Sequence, residues 1–501
     1  MPQFFSQHLP ILQVITPLVA APFCMLLNGK NHAWALAFLT SLVTLALSVL
    51  LVLATFDGEV ISYHLGGWAP PIGIEYRVDM LNAFVALIVS GTGALTLLYA
   101  RASVGHEIDA RQHSLFYAAF ILCLTGLLGL TITGDAFNVF VFLEISSLST
   151  YALVASGAKS DRRALTAAYS YLIMGTIGAT FFVIGLGLLY MITGTLNMAD
   201  LAQRLLDHGD SRTLRMGFAF ILVGLGLKLA MFPLHQWLPN AYTYAPSAVS
   251  AFLSATATKV AIYVLLRFLF TVFGLSVPFE ADIIFLLVLP LALAGSLIGA
   301  YLAAHQDNLK RLLAYSSISQ IGMMLTGMSM LTREGLAAAI IHLFNHAVTK
   351  ASLFMVAGAY AKEAGTVTIR DLHGVGRDMP WTTAAFAIGG MSLIGVPLTV
   401  GFVSKWLLVE AALQRGWRPV AVVIVASSLI AIVYVGRFLE AAYMQPTPKG
   451  IIRREAPLTM LVPIWIFASL SLYFGVNPSL TSEAATRAAS GLVAASSLIW
   501  Q

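Results

Sequence analysis

The chain has 501 residues, of which 58% are hydrophobic and only 10% charged, where a soluble domain carries roughly 25% charged residues. With a mean hydropathy of +0.84, this composition excludes a water-soluble enzyme and leaves room for roughly a dozen or more membrane spans of about 20 residues each. The formal charge of +5 and pI near 9.1 come from residues in loops between apolar runs, so the basicity reads as membrane topology and nucleic acid is not an expected partner.

The N-terminus, MPQFFSQHLPILQVITPLVAAPF, lacks a basic stretch and a small-residue cleavage site, and is expected to be the first span. Apolar runs divided by polar or Gly/Pro-rich breaks predict about fourteen transmembrane helices. They fall near 9–28, 32–56, 80–100, 115–134, 136–157, 166–192, 214–245, 247–273, 280–303, 311–330, 334–360, 382–413, 419–441 and 457–476. Between spans, residues 57–79 carry Gly66-Gly67 and Pro70-Pro71 turn signals and predict a short extracytoplasmic hairpin. Residues 198–207 predict an interfacial helix, and 480–500 a short, mildly apolar tail.

The seventh segment contains Phe232-Pro233 and Leu238-Pro239, and the twelfth contains Gly395-Val396-Pro397. Proline removes a backbone donor and clashes with the preceding turn, so each segment is expected to be two half-helices with an unwound centre. Paired interrupted helices in two halves point to an inverted-repeat transport fold. The expected organisation is all-α and polytopic: 1–114, three N-terminal helices with the hairpin; 115–273, a first five-helix repeat; 274–441, a second, inverted; 442–501, the last helix and a tail. Loops bearing Lys159, Arg162, Arg163, Lys310, Arg311, Arg453 and Arg454 are more basic than those bearing Arg204, Arg212, Arg215 and Arg333. The positive-inside rule makes the first set cytoplasmic and both termini extracytoplasmic, in a multi-pass protein of the cell inner membrane.

Ionisable side chains inside the apolar runs carry the functional signal, because each costs at least ~2.5–3.5 kcal/mol near the bilayer centre. Glu144, Lys228, Lys259 and Lys405 stand in four different predicted helices. Burial favours a neutral carboxyl and a nearby lysine favours the carboxylate, so a Glu144–Lys228 pair is a two-position device or a static buried ion pair. Lys228 lies about one turn ahead of Pro233, where freed carbonyls and water can solvate an ammonium. Arg267 and Arg311 lie nearer helix ends and are expected to be interfacial anchors.

In IIHLFNHAVTKASLF, His342, His346 and Lys350 recur every four residues and stack on one helical face. Such a row can relay protons or serve as polar glue between helices. Two histidines at this spacing are also a metal-ligand pattern, but no acidic residue lies close in sequence, so no metal is expected. His235, in FPLHQWLP at the first break, is placed as a possible accessory, as is Lys350. Cys24 and Cys123 lie in apolar runs and indicate neither a disulfide framework nor a metal. No nucleotide loop or soluble catalytic domain is found, and no cofactor is expected.

The segments TGDAFNVFVFLEISSLSTYALV, GLGLKLAMFPLHQWLPNAYTYAPSAVSAFLSATATKVAIYVLLR, QDNLKRLLAYSSISQIG and HLFNHAVTKASLF resemble the antiporter-like membrane subunits of respiratory complex I and of Mrp-type Na⁺/H⁺ antiporters. The resemblance runs from about residue 60 to 440 and is nearest to the D-type member of the Mrp set, in length and in the lysine at 405. It implies a fourteen-helix fold with two inverted five-helix repeats, and a proton path over Glu144, Lys228, Lys259, His342, His346 and Lys405. It also implies hetero-oligomeric membrane partners, with protons and Na⁺ as the transported ions. Two alternatives share the fold: the N-type member of complex I and the membrane-bound hydrogenases, both proton-pumping.

Overall fold

The computed structural model describes residues 3–27, 30–275, 278–447 and 453–494. Two long helices, α1 (Gln3–Leu26) and α2 (Lys30–Thr55), lead into an antiparallel hairpin of β1 (Ile61–His64) and β2 (Glu75–Val78), in the register Ile61–Val78 to His64–Glu75. Then come α3 (Met80–Glu107), α4 (His113–Ile132), α5 (Ala136–Ala155), α6 (Arg163–Thr193), the short α7 (Met198–Leu206) and α8 (Arg212–Lys228). The middle of the chain holds α9 (Trp237–Tyr244), α10 (Ser247–Ala255), α11 (Ala257–Leu266), α12 (Pro278–Ile283), α13 (Leu289–Ala304), α14 (Leu309–Ser329) and α15 (Arg333–Glu363). The last elements are α16 (Val375–Asp378), α17 (Pro380–Ile394), α18 (Val400–Gln414), α19 (Arg418–Leu439), α20 (Leu458–Val476) and α21 (Ser479–Ala494).

Among the described residues, 11 helical stretches are long and apolar enough to cross a membrane. Three expected spans fall outside that set for physical reasons: 212–244 and 380–414 are each interrupted, and α14 carries a serine- and glutamine-rich sequence. Starts are set by side-chain caps. Asp79 accepts from the Asn82 amide ahead of α3, Asp135 from Asn138 ahead of α5, and Thr332 from Gly335 ahead of α15.

The apolar windows of 247–272 and 333–363 are each 94% buried within the protein, against 39% for 31–55 and for 163–193. The former pair is therefore the core of the bundle and the latter lies at its periphery. α15 is the hub, packed on α10, α14, α17, α18, α20 and α21.

Both proline breaks are present. Between α8 and α9 the chain unwinds at 229–236, with Ala230 at φ +61; the Leu227 carbonyl accepts from the Ala230 amide at 3.3 Å and from Trp237 Nε1 at 2.9 Å. Between α17 and α18, Gly395 takes φ +93 and Leu398 φ +70. Leu238-Pro239 makes no second break, because Pro239 falls in the first turn of α9, where no amide is needed. The expected tail also differs: up to Ala494 it is a helix, α21, with Ala485, Ala489 and Leu492 buried against the core, while 495–500 lie outside the described residues.

Candidate functional site

Lys228 closes α8, and its ammonium donates to Ser147 Oγ at 2.7 Å while Glu144 Oε1 stands 4.0 Å away. Glu144 and Ser147 are three residues apart on α5, so one helical face presents a carboxylate and a hydroxyl to a single amine. Side-chain exposure is 6% for Lys228 and 27% for Glu144, which makes the acid the more accessible end of the pair.

Lys259 comes just after an interruption that proline and glycine signals do not mark. Thr256 adopts φ −124, ψ −58 and separates α10 from α11. The fully buried Lys259 turns back to donate to the Ser254 carbonyl and to Thr258 Oγ1, the latter at 3.3 Å. Lys405 does the same at the other break: from the second turn of α18 it donates to the Leu393 and Ile394 carbonyls at 2.7 and 3.0 Å. Both ammonium groups rest on the C-terminal end of a short helix, where the backbone dipole is negative.

The row on α15 forms as its spacing predicts. The rings of His342 and His346 are stacked 6.5 Å apart at 16°. His342 Nδ1 lies 2.8 Å from Ser404 Oγ, next in sequence to Lys405. Lys350 donates to the Leu313 carbonyl at 2.8 Å and to the Ser316 hydroxyl, both on α14. His235 sits apart in the first break, stacked on Phe232 at 5.3 Å.

Two features distinguish this set from a bundle of structural ion pairs. Among the described residues, Lys259, Lys350 and Lys405 take part in no ion pair; Lys228 alone has a carboxylate, Glu144. Five buried polar atoms among these candidate residues also lack a hydrogen-bond partner: Glu144 Oε1, His235 Nδ1, His342 Nε2 and both nitrogens of His346. No cluster of three or more metal-ligating side chains occurs among the described residues.

Arg267 is not the interfacial anchor its position suggests. It is half-buried, at 12% side-chain exposure, paired with Asp79 and bonded to Asn82 at the start of α3. Sequence reasoning also missed Glu107 and Lys310, both buried near helix ends; their only signal was a charge bordering an apolar run.

Close backbone approach fixes the second break. A Cβ on Gly401 would lie 1.8 Å from the Ser392 carbonyl oxygen, so α18 can meet α17 only with glycine there. Gly401→Ala should therefore cost about 1–3 kcal/mol, as overpacking does, and should displace the carbonyls that hold Lys405. A thermal melt of the purified complex checks this, and an unchanged midpoint would contradict it.

Fold and site together define a multi-pass α-helical membrane protein with ionisable groups strung through its buried core. Residues 133–431 match the family described as NADH:quinone oxidoreductase/Mrp antiporter, transmembrane, and the chain belongs to that family. It is similar to NADH-quinone oxidoreductase subunit N of Desulforudis audaxviator, 41% identical over 478 residues, 92% of this chain and 94% of the relative. It is also similar to the D-type component of the Na(+)/H(+) antiporter of Bacillus subtilis, 31% identical over 488 residues, 96% of this chain and 97% of the relative. Among solved structures, a chain of the membrane-bound sulfane sulfur reductase, an archaeal respiratory membrane complex, superposes with TM-score 0.90 at 31% identity, covering 97% of each chain.

Proposed function

We propose that the chain carries protons across the cell inner membrane as one subunit of a multisubunit monovalent-cation/proton antiporter. Its relay is Glu144, Lys228, Lys259, His342, His346 and Lys405, with His235 and Lys350 accessory. The carrying observation is that three deeply buried lysines are held by carbonyl and hydroxyl oxygens with no carboxylate in ion-pair range among the described residues. An uncompensated buried ammonium costs several kcal/mol, whereas the neutral amine donates to the same acceptors without that penalty. Such groups are suited to gaining and losing a proton. The two five-helix repeats and the extracytoplasmic placement of both termini belong to the same reading.

A second reading has the same proton path driven by redox chemistry in other chains; the 41% identity to a quinone oxidoreductase subunit favours it. Purification with its neighbours and reconstitution in sealed vesicles separates the two. A sodium gradient should drive proton movement under the first reading, and an electron donor under the second. Proton movement under neither drive would overturn both.

The histidine row yields its own expected result. Replacing His342 and His346 together by leucine should block proton flux, while the double glutamine variant should keep part of it by holding water. A dry gap leaves a proton unsolvated at a cost of several kcal/mol, more than the roughly 2.3 kcal/mol that 100 mV supplies per charge. Equal flux in all three proteins would show that the histidines only pack.

A further inference from the structure

At the basic-loop end of the bundle, where α4 and α6 start and α5 ends, a cavity of about 620 Å³ opens between the three helices. Its size lies within the roughly 300–1,000 Å³ that small-molecule sites span. The polar lining is gathered at one end, in Asp109, Gln112, Ser156 and Lys159. The rest is apolar: Leu115 and Phe116 from α4, Ala152 and Leu153 from α5, and Leu165 from α6. This part reaches Ala119, in the second turn of α4, and so runs from the loops into the spans. Leu115 and Leu165 are 52% and 49% exposed, which leaves the cleft open sideways on the outer face of the bundle. A polar mouth at loop level with an apolar cleft behind it suits an amphiphile whose head lies at the membrane surface.

Charge decides which head fits. The two loops that meet at the mouth, 108–112 and 156–163, hold four bases, Arg111, Lys159, Arg162 and Arg163, and two acids, Asp109 and Asp161. Asp161 pairs with Arg163 at 2.6 Å and Asp109 with Lys159 at 3.2 Å. Arg111 and Arg162 are exposed and enter no ion pair among the described residues. Both partners of the Lys159–Asp109 pair are themselves exposed, and such a pair holds weakly, so Lys159 can exchange its carboxylate for a phosphate. Glu107, at the end of α3, is buried and accepts from the Ser247 amide and hydroxyl. Membrane topology accounts for bases on this side, but not for a cleft that opens between them. The mouth is also preformed. A Cβ on Gly157 would lie 2.5 Å from the Tyr244 carbonyl oxygen, and Lys159 and Ser160 donate to the Ile108 and Glu107 carbonyls at 3.5 and 3.3 Å.

We propose that this cleft binds one anionic phospholipid of the leaflet on the basic-loop side, its phosphate head among Arg111, Lys159 and Arg162 and an acyl chain between α4, α5 and α6. The site is independent of the proton-carrying reading, because its ligand is read by binding and not by flux. A basic side chain near the membrane surface favours an anionic head by roughly fivefold, so the two unpaired arginines favour it by about 25-fold. A zwitterionic lipid carries the same phosphate, but its ammonium meets the same arginines. Free phosphate has the charge without the chain, and gains nothing from the apolar wall. A lipid held there touches three helices at once and stabilises their packing by mass action.

The test uses the assembled complex in mixed micelles, with phosphatidylglycerol bearing a diazirine in its acyl chain as the probe. After irradiation, labelled peptides should come from α4, α5 and α6 at the cleft. Unlabelled phosphatidylglycerol should displace the probe at a concentration at least about tenfold lower than phosphatidylcholine does, and glycerol phosphate should not displace it. Replacing both arginines, Arg111→Gln with Arg162→Gln, should erase the difference between the two lipids while labelling persists. Ala152→Trp should fill the cleft and abolish labelling. All three positions are exposed, so these variants should assemble; if one does not, competition between the two lipids in the unaltered complex decides alone. Equal displacement by the two lipids overturns the site, as does displacement by glycerol phosphate or labelling that persists in Ala152→Trp. Labelling spread evenly over the outer faces of α1 and α2 also overturns it. No labelling at the cleft in the assembled complex would mean that a partner subunit covers it, and the proposal fails.

Discussion

Lys405→Arg should lower proton flux by at least about tenfold, which is about 1.4 kcal/mol of barrier, in a complex that still assembles. The site explains why this substitution isolates proton exchange from charge. Lys405 donates to two carbonyl oxygens, those of Leu393 and Ile394. A guanidinium can donate to the same pair, and it keeps its proton at every accessible pH. Electrostatic support for the end of α17 is therefore retained, and the ability to become neutral is lost. Room is limited, since a Cβ on Gly395 would lie 2.9 Å from Lys405 Cδ, so assembly has to be measured alongside flux. Lys405→Glu gives the complementary case. A carboxyl titrates, but its charged form would face two carbonyl oxygens and only its protonated form can donate to them. Its flux should lie between arginine and wild type. Wild-type flux in the arginine variant, followed by a vesicle pH probe after an acid jump, would remove Lys405 from any proton-cycling role.

The parts of this molecule legible in its sequence are those governed by strong local rules. Apolar run length placed most spans within a few residues, because a helix must match a fixed hydrocarbon thickness, though α1 begins at Gln3 where residue 9 was expected and α3 runs on to Glu107 where residue 100 was expected. The breaks at Pro233 and Pro397 followed from a missing amide. The stacking of His342 on His346 followed from helical pitch. What escaped was set by tertiary contact. Thr256 interrupts its helix without proline or glycine, and the Lys259 ammonium bonded to the Ser254 carbonyl satisfies the end it leaves. Arg267 is placed by sequence near a helix end, yet its partner Asp79 lies 188 residues away along the chain. The partner of Lys228 was half legible: Glu144 is conspicuous in an apolar run, whereas Ser147, the closer group, is one of many buried serines.

That second partner sharpens the expected result for the pair. Glu144→Ala and Lys228→Ala should each abolish proton flux, and the Glu144 variant should assemble normally, because Ser147 Oγ at 2.7 Å still accepts from the Lys228 ammonium. Ser147→Ala leaves the carboxylate 4.0 Å away as the remaining partner, and should slow flux without abolishing it. The energetics favour a pair that opens. Two unit charges at 4 Å attract by about 4 kcal/mol at an effective dielectric of 20, and by about half that at 8 Å. Opening the pair thus costs about 2 kcal/mol, comparable to the roughly 2.3 kcal/mol that 100 mV delivers to one charge. A tighter pair would lock at that drive and a looser one would not hold its proton state. Ser147 lowers the cost further, by giving Lys228 an acceptor in the open position. Glu144→Ala transporting at the wild-type rate in fully assembled vesicles would make the pair a structural tie, and the proton would have to enter the row elsewhere.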